Sequence, residues 1–493
     1  MPIPFDESTY DFGDKPMGSA MDQKRLPLDF EIRSERFQSE IMGPLLAKLN
    51  GKLIELINAS DTGFSFTDDR PLKEGTIVDD LAIYYKYGTE IYRGPVKIVW
   101  QKKLGTSKYS HGAFLLSGPL SEHLLNAMSM ASTIRQEVVS EQEKLACLPK
   151  DFILWVAEVK YFLSELKARV DAMEHSAHIL SKPGQQAHVK AVEVVLEPFA
   201  VPILTDFGKK LNEIVNPLKN TAAYKIAKAY FRKELHIFFR SAPFVERAWR
   251  KPLGYAGDYE MMNQIYRNES EGNSLFSSLI HKWGINEPSS CSVRARRTYF
   301  KNRIKEMIKL KYQVNIASIA CGPAKEIVDI IAELPQSELD FFHFYLIDQD
   351  KEALINVKRS ILETSMKRDI KPKVNYIPLG VSQIVEGDEI AEVLKATRFD
   401  FIYSVGLFDY LKTPFAKLLL KELLDWTRED SHLVIGNFNL NNPSHAIGDF
   451  AGDWSLVLRS EQDMLDLADG LTFKKGSILK DELGIEIFFD IRK

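Results

Sequence analysis

Cysteine is scarce in this sequence, and long apolar runs are missing. The three cysteines, Cys147, Cys291 and Cys321, lie far apart and form no C-x-x-C pair, which argues against a disulfide framework and against a zinc site. A reducing compartment is the natural interpretation. No uninterrupted apolar run approaches the roughly 18 residues of a membrane span, and the acidic, turn-rich N-terminus has no apolar core. We therefore expect a cytoplasmic protein with no transmembrane segment.

An excess of positive charge is also missing. The chain carries 64 Lys and Arg against 68 Asp and Glu, which gives a formal net charge of −4 and a pI near 6.3. No global positive field would therefore gather nucleic acid. We expect a small-molecule or acyl substrate and no nucleic-acid partner. The length of 493 residues, of which 45% are hydrophobic and 27% charged, predicts two or three globular domains.

Local signals divide the chain into four segments and predict a multidomain α/β protein. Residues 1–27 are rich in Pro, Gly, Asp and Ser and are expected to form a flexible leader. Residues 28–120 carry short β-like runs broken by turn residues, which predict a small β-barrel. Residues 121–244 have helical periodicity and predict a helical region. Residues 245–493 alternate strand-like and helical runs, which predict a doubly wound, Rossmann-like sheet.

The helical region contains prolines that predict its division into several helices. They are Pro183, Pro198, Pro202 and Pro217. Helices of this kind can cover an acyl tunnel, form a homo-oligomer or couple neighbouring domains, and the sequence does not choose among these roles. In the last segment, residues 472–493 read as two further strands, which would suit an antiparallel edge of the sheet.

A turn of small residues follows the first strand-like run of the last segment, at Ala320-Cys321-Gly322-Pro323-Ala324. In a doubly wound sheet, ligands bind at the carboxyl ends of the strands, where such a turn lets the backbone approach the ligand and a helix begins. The second run ends at Asp348 and Gln349, and a carboxylate at that position can accept both hydroxyls of a ribose. The alternative interpretation is a structural turn and a surface aspartate.

This turn contains one glycine and lacks the G-x-G-x-x-G spacing that brings a helix N-terminus against a pyrophosphate. S-adenosylmethionine has no pyrophosphate, so the sequence favours this cofactor over a nicotinamide dinucleotide. The fourth strand-like run leads into residues 404–407, and its tip would lie beside the methionine part of the cofactor. The predicted cofactor contacts are Ala320, Cys321, Gly322, Pro323, Asp348, Gln349, Ser404, Gly406 and Leu407.

Several blocks of the last segment form an ordered set that covers about 245 residues. They are K-P-L-G-Y-A-G-D-Y-E at 251–260, residues 318–326, D-Q-D at 348–350, G-L-F-D-Y-L at 406–411, G-N-F at 436–438, and D-W at 453–454 with Arg459. The set resembles the family of extracellular-factor 3-hydroxypalmitic acid methyl ester biosynthesis proteins, a branch of the class I S-adenosylmethionine-dependent methyltransferases. The resemblance implies methyl transfer to a carboxylic acid, such as a 3-hydroxy fatty acid whose methyl ester is a quorum-sensing signal.

Methyl transfer needs few catalytic side chains, because the sulfonium donor supplies the activation and the protein aligns the acceptor and excludes water. A carboxylate acceptor is ionised near pH 7 and needs no general base, whereas a hydroxyl or an amine usually does. A carboxylate needs a cation or donors to hold it. Arg459 and the cluster Arg294, Arg296 and Arg297 are candidates, and a solvated helix face is the alternative for the cluster.

Other residues of these blocks are candidates for the acceptor side. Tyr255 and Asp258 precede the first strand, in a region that often forms a lid in this class, although Asp258 could equally cap a helix. The predicted catalytic residues are Tyr255, Asp258, Asp409, Tyr410 and Arg459. The predicted substrate-binding residues are Arg294, Arg297, Asn437, Asp453 and Trp454. His281 and His445 have no partner at metal-ligand spacing, so we predict no metal site.

The segment Asn58-Ala59-Ser60-Asp61-Thr62-Gly63 matches an N-x-S-x-x-G signature and resembles PilZ domains, small barrels that often bind cyclic di-GMP. The usual pair of arginines four apart is replaced by Arg33 and Arg36, which are three apart. The predicted nucleotide residues are Arg33, Arg36, Asn58, Ser60 and Gly63, and a polar turn is the alternative. The first functional hypothesis is a methyltransferase with a regulatory barrel. The second is a cyclic di-GMP-responsive binding protein whose methyltransferase-like domain is not catalytic.

Overall fold

A computed structural model describes residues 37–38, 45–60, 62–85, 90–105, 107–118, 122–177, 179–310 and 312–493. The predicted leader and the predicted nucleotide residues Arg33 and Arg36 lie outside the described residues. Contacts within the chain divide it into two compact units, one ending at Glu143 and the other spanning Lys144–Lys493. No helix among the described residues has the length and apolar character needed to cross a membrane.

The first unit contains an antiparallel β-barrel, as the sequence predicts. Its strands are β1 (Phe37–Gln38), β2 (Leu45–Leu49), β3 (Lys52–Ala59), β4 (Gly63–Asp68), β5 (Ile77–Tyr85), β6 (Glu90–Leu104) and β7 (Lys108–Leu115). Strands β2 to β7 close into a ring, because β3 pairs with β2 and also with β4. Alternate residues such as Leu81, Ile83, Val96 and Ile98 point inward and are fully buried.

Helices dominate the chain between the barrel and the second sheet. They are α1 (Glu122–Ala146), α2 (Lys150–Ala177), α3 (Lys182–Val215), α4 (Ala222–Phe239), α5 (Pro243–Arg250), α6 (Tyr259–Arg267), α7 (Leu275–Gly284) and α8 (Pro288–Glu306). The prediction that every proline divides this region was wrong for Pro198 and Pro202, which both lie inside α3. Both prolines are exposed, so the carbonyls that lose their helical donors face water, while Ala200, Leu204 and Leu211 bury the opposite face.

The second unit also contains the predicted doubly wound sheet. Its strands are β8 (Val314–Ile319), β9 (Phe342–Asp348), β10 (Lys373–Pro378), β11 (Phe399–Ser404), β12 (Thr427–Phe438), β13 (Lys475–Lys480) and β14 (Glu486–Arg492). Their spatial order is β10-β9-β8-β11-β12-β14-β13. Strands β8 to β12 pair in parallel, and β14 runs antiparallel to both of its neighbours. The last two strands therefore form an antiparallel pair at the edge of the sheet.

Helices cover both faces of this sheet. They are α9 (Lys325–Glu333), α10 (Gln336–Leu339), α11 (Lys351–Arg368), α12 (Val381–Glu386), α13 (Glu389–Thr397), α14 (Thr413–Trp426), α15 (His445–Gly452) and α16 (Glu461–Asp466). On one face, Ala317 and Ile319 of β8 pack in a cluster with α13 and α14. On the other face, Ile316 packs in a cluster with α8, α9 and α11. The alternation of buried residues along β8 follows from the two-residue repeat of a strand.

A separate apolar core lies among the helices of the second unit. It joins residues of α2, α3, α4 and α7 with Ala446, Ile447 and Phe450 of α15. The ring of Phe450 lies 5.5 Å from that of Phe231 and 6.4 Å from that of Phe152, measured between centroids. One core therefore contains residues from both sides of position 244, where the sequence predicts a domain boundary.

Candidate cofactor and acceptor site

The sheet has its switch point at β8. This strand pairs with β9 on one side and with β11 on the other, and all three run parallel. Their carboxyl ends therefore meet at one edge of the sheet, where ligands bind in doubly wound folds. The turn at 320–324, Asp348 and the segment from Ser404 to Tyr410 follow these three strand ends.

The turn after β8 is tight and leaves open space beside its glycine. Ala320, Gly322 and Ala324 have φ values of +53°, +52° and +39°. This left-handed region favours glycine, and alanine enters it at a cost in strain. A Cβ atom added at Gly322 would meet no other atom within 4 Å. The amide of Cys321 donates to the carbonyl of Ile347 at 3.0 Å, which fixes the turn against β9.

Asp348 joins the ends of β8 and β9. Its Oδ2 accepts a hydrogen bond from the Gly322 amide at 2.8 Å, and its Oδ1 accepts one from the Asp350 amide at 2.9 Å. Burial raises the pKa of this carboxyl group above its usual value, while the backbone amides act in the opposite direction. Asp350 caps helix α11 through Oδ1, and its Oδ2 is buried with no hydrogen-bond partner among the described residues. Gln349 is exposed.

The tip of β11 lies over a buried arginine. Ser404 donates from Oγ to the carbonyl of Ile319 at 3.1 Å, so it ties β11 to β8. Gly406 has φ +89°, and a Cβ added there would lie 3.0 Å from Nη2 of Arg296. A side chain at this position would therefore combine backbone strain with crowding. Arg296 forms an ion pair with Glu486 at 3.1 Å. Leu407 follows Gly406 and is partly buried.

Asp409 presents a carboxylate oxygen without a partner. Its Oδ1 accepts a hydrogen bond from the Phe438 amide at 2.6 Å, whereas Oδ2 is buried with no partner among the described residues. Burial raises the pKa of Asp409 to about 6, although the positive charges of Arg296 and Arg459 act against this rise. A carboxyl group of this kind can hold a proton near neutral pH.

Three aromatic residues connect the tip of β11 with the segment before the sheet. The Trp454 indole donates from Nε1 to Tyr410 Oη at 2.7 Å, and Tyr410 donates to the carbonyl of Ala256 at 2.7 Å. A Cβ added at Gly257 would lie 2.4 Å from Trp454 and 2.5 Å from Tyr410. The Tyr255 ring lies edge-on, with its centroid 6.4 Å from that of Tyr410. Burial, followed by the charge of Asp348, raises the pKa of the Tyr255 phenol.

Asp258 occupies the geometry of a helix cap. Its Oδ1 accepts hydrogen bonds from the amides of Glu260 and Met261 at 3.1 and 3.0 Å, at the start of α6. Arg247 also forms an ion pair with this carboxylate at 2.8 Å. The helix cap and the ion pair with Arg247 together account for the burial of Asp258 without a ligand.

Arg459 and Asn437 hold the loop after β11. Arg459 donates to the carbonyl oxygens of Phe408 at 2.7 Å and Leu411 at 2.6 Å, and to the Asn437 side-chain oxygen at 2.5 Å. Asn437 in turn donates to the carbonyl of Val457 at 2.9 Å. Of the three nitrogens of the Arg459 guanidinium, only Nε has no hydrogen-bond partner among the described residues. The sequence predicts that the Arg459 donors hold an acceptor carboxylate, but in the structure most of them bind oxygen atoms of the protein itself.

The other predicted cations and anions of the acceptor side also have partners within the protein. Arg297 forms a bidentate pair with Asp329, at 2.7 Å for both bonds. Arg294 donates to the carbonyl of Ile285 and to the side chain of Asn286. Asp453 accepts hydrogen bonds from three cations within 2.7 Å, which hold its pKa well below the usual range. These cations are Lys228, Arg232 and Lys251.

Arg296 belongs to the predicted arginine cluster, but the prediction does not distinguish it as the member that lies beneath the β11 tip. A usable signal exists in the helical repeat of α8, since Val293, Arg296, Phe300 and Ile304 recur at three- and four-residue spacing and are all buried. Glu326 and Tyr403 were also missed. The Tyr403 hydroxyl donates to Glu326 at 2.7 Å below the turn, and no sequence pattern pairs residues that are 77 positions apart.

In the barrel, Ser60 and Gly63 of the predicted nucleotide motif are hydrogen-bonded to each other where the chain passes from β3 to β4. The Ser60 amide and hydroxyl both donate to the carbonyl of Gly63, at 2.6 and 3.1 Å. The Gly63 amide donates back to Ser60 Oγ at 3.2 Å. Asn58 lies in β3 opposite Ser65. Ser60 and Gly63 are therefore used in local bonds of the kind expected for a polar turn.

No family model and no curated protein sequence matches this chain. Among solved structures, it is similar to the magnesium protoporphyrin IX methyltransferase ChlM of Synechocystis PCC 6803 with bound SAH, with 8% identity and a TM-score of 0.33, over 50% of this chain and 98% of that chain. The N-methyltransferase NodS of Bradyrhizobium japonicum WM9 in complex with S-adenosyl-L-homocysteine gives 14% identity and a TM-score of 0.30, over 48% and 97% of the two chains. The DszA carbon methyltransferase gives 13% identity and a TM-score of 0.34, over 58% and 69%.

Proposed function

We propose that residues 245–493 form an S-adenosylmethionine-dependent methyltransferase domain that O-methylates a carboxylic acid, such as a 3-hydroxy fatty acid, to its methyl ester. The observation that carries the cofactor assignment is the pairing of the open Gly322 turn with Asp348 at the switch point of the sheet. The choice of acceptor rests on the ordered blocks that resemble a family of methyl ester biosynthesis proteins.

The residues at the switch point fit this cofactor. Each oxygen of Asp348 accepts a backbone hydrogen bond, and a carboxylate oxygen has two lone pairs, so each oxygen can also accept a ribose hydroxyl. The space beside Gly322 lets a ligand approach the backbone. Asp350 Oδ2 offers a further acceptor that has no partner among the described residues. When bound, the cofactor supplies a methyl group that is already activated on its sulfonium.

Side chains around the β11 tip would orient the acceptor, exclude water and hold a proton. Tyr255, Tyr410 and Trp454 form an aromatic wall that would exclude water and orient the acceptor. Arg459 would act by positioning, since it holds the loop of residues 408–411 in place. Asp409 can hold a proton at Oδ2, because burial keeps its pKa near 6.

Asp409 also favours a second candidate acceptor, a hydroxyl or an amine. Such a group loses a proton on methylation and needs a base with a raised pKa, whereas a carboxylate does not. An acceptor screen with labelled S-adenosylmethionine across free and carrier-linked acids, alcohols and amines, read by mass spectrometry, distinguishes the two. Methyl ester formed equally by the wild type and the Asp409→Asn variant supports a carboxylic acid. Product on a hydroxyl or amine that disappears in Asp409→Asn supports the second candidate.

The cofactor assignment has a direct test with a matched control. Like Asp348, Asp400 is a buried aspartate that accepts a backbone amide, here that of Asn315 at 2.8 Å, but it pairs with Arg428 and lies near the opposite end of β11. We expect Asp348→Ala to weaken binding of labelled S-adenosylmethionine at least tenfold and Asp400→Ala to leave it nearly unchanged, because only Asp348 lies where its carboxylate can accept the ribose hydroxyls. Equal binding by wild type and Asp348→Ala would count against the assignment.

For the first unit we propose a regulatory PilZ-like barrel in the cytoplasm that responds to cyclic di-GMP, as its signature implies. Calorimetric titration of the full chain with cyclic di-GMP tests this role. Binding that is lost on changing Arg33 or Arg36 to alanine supports it. Such binding without turnover on any acceptor would favour the alternative, in which the protein is a nucleotide-responsive binding module.

A further inference from the structure

A mostly apolar cavity lies beside the aromatic wall of Tyr255, Tyr410 and Trp454. It has a volume of about 90 Å³ and lies between helices α5, α7, α8 and α15 and the end of β12. Its walls include Phe244, Val293, Phe438, Ile447, Ala451 and Trp454. Neither Gly322 nor Asp348 lines it, so it is separate from the proposed cofactor site.

Glu287 is an acidic residue of this wall, whose other polar members are Ser289, Ser290, Asn442, Ser444 and His445. Glu287 is 7% exposed, and its Oε1 has no hydrogen-bond partner among the described residues. The residue precedes α8, but its side chain makes no capping bond. Burial raises the pKa of this carboxyl group to about 7, although the side chains of Ser444, Thr205 and Trp283 act in the opposite direction. A buried carboxylate oxygen without a partner is costly, and a ligand that supplies a hydrogen-bond donor removes this cost.

Trp454 is a wall that this cavity shares with the acceptor side. Its ring lines the cavity, and its indole N–H donates to Tyr410 at the β11 tip. Phe438, which also lines the cavity, donates its amide to Asp409. A molecule in the cavity would therefore contact residues that are hydrogen-bonded to the site of methyl transfer.

We propose that this cavity binds a compact apolar group of the methyl acceptor, and that Glu287 accepts a hydrogen bond from a hydroxyl carried by that group. This inference rests on the proposed methyltransferase function and adds a specificity-determining residue to it. The small volume fits a short apolar segment, since it is below the roughly 150 Å³ of a dry apolar cavity that binds benzene. A site built to bond a hydroxyl discriminates strongly against analogues that lack one.

The test uses ethanol as the probe and chloroethane as a probe of similar shape without a donor, since both are smaller than benzene. Both are titrated into the full chain carrying ¹³C-labelled methyl groups, and the signals of Ile265, Val293 and Ile447, which line the cavity, are followed by NMR. We expect saturable shifts, with ethanol favoured over chloroethane by about tenfold relative to their hydrophobicities.

Variants assign this preference to Glu287. Glu287→Leu should abolish the preference, whereas Glu287→Gln should keep it, because the amide oxygen still accepts. Glu193→Gln is the matched control, since Glu193 is also buried, at 5% exposure, but pairs with Lys190 outside the cavity. Gly448→Ala narrows the cavity with little crowding, because a Cβ at Gly448 meets only the Trp454 carbonyl oxygen, at 4.0 Å. It should raise the KM for the acceptor more than it lowers kcat.

Equal binding of the two probes, an unchanged preference in Glu287→Leu, or no shift of the three methyl signals would overturn the inference. An acceptor that fails to displace ethanol would also overturn it. The cofactor is measured separately with labelled S-adenosylmethionine. Cofactor binding without probe binding removes this inference alone, whereas probe binding without cofactor binding removes the proposed function and leaves the cavity as a ligand site.

Discussion

The fold raises the pKa of Asp409 enough for measurements of stability against pH to detect the change. Its pKa is about 6 in the folded protein because of burial, against an ordinary value near 3.8. At pH values between these two, the folded state binds more protons than the unfolded state, so stability falls as pH rises. We expect the wild type to lose roughly 1 to 2 kcal/mol relative to Asp409→Asn between about pH 5 and about pH 8.

Thermal unfolding of the two proteins at both pH values measures this difference. The comparison with Asp409→Asn cancels the other titrating groups, since both chains share them. A difference that stays constant with pH, or that grows in favour of the wild type at high pH, would contradict the raised pKa.

Gly257 and Gly254 offer a matched pair at the residue scale. Both have positive φ, +76° and +87°, but only a Cβ at Gly257 would collide with Trp454 and Tyr410. We expect Gly254→Ala to lose about 1 kcal/mol from strain, and Gly257→Ala to lose about 2 to 4 kcal/mol because the aromatic wall must also shift. Melting temperatures give the first comparison, and methyl transfer rates should fall in Gly257→Ala alone. Equal losses of stability in both variants would show that the aromatic wall shifts at no cost in free energy.

Residue roles divide into those that the sequence could predict and those that it could not. Gly322 and Asp348 could be predicted, because the order of strand, turn, helix and strand places them at the same edge of the sheet. The surroundings of Arg459 could not, because two of its three partners are the main-chain carbonyls of Phe408 and Leu411, a group that every residue carries. The partner of Arg297 is Asp329, a side chain 32 residues away on another helix.

At the scale of the element, α3 shows how packing can override a local breaker. Pro202 removes the amide that would donate to the carbonyl of Pro198. We expect Pro202→Ala to restore this bond and to raise stability by roughly 1 to 3 kcal/mol. Pro183→Ala is the control, because a proline in the first turn removes no helical bond, and it should change stability little. Thermal unfolding decides, and a lower melting temperature for Pro202→Ala would refute the expectation.

Strands and helices of the second sheet could be predicted because strongly apolar runs and amphipathic runs alternate there. The short strand β2, Leu45–Leu49, was not predicted, since the run is brief and has a lysine in it. The continuous helix α3 was also not predicted. In both cases tertiary partners, β3 and β5 for the strand and the helical core for α3, stabilise an element that its own residues specify weakly.

At the scale of the whole molecule, the helical core makes a prediction about where the chain can be cut. Residues 144–493 keep every helix that packs around Phe450, whereas residues 245–493 lose α2, α3 and α4. We expect the first fragment to melt cooperatively and to bind labelled S-adenosylmethionine like the full chain. The second should aggregate or unfold, because it exposes Trp283, Phe276 and Phe450. A soluble, cooperatively melting fragment of residues 245–493 would restore the boundary that the sequence predicts at 244.

The division into a barrel, helices and a doubly wound sheet could be predicted from periodicity alone. The way in which the helices join the sheet could not, because it depends on α15, a segment of eight residues inserted near the end of the chain. Its Ala446, Ile447 and Phe450 reach a core built by residues more than about 160 positions earlier, since the last of them is Trp283, and no local pattern records such a pairing.

The hydrogen bond between the Gly322 amide and Asp348 should affect the kinetics of cofactor binding. This bond joins the turn to the strand tip through atoms of the protein alone, so we expect entry of the cofactor to require no ordering of this backbone. In stopped-flow mixing, association should then be a single exponential whose rate rises linearly with cofactor concentration and shows no plateau. Closure of the segment around Tyr255, if it follows, would appear as a second and concentration-independent phase.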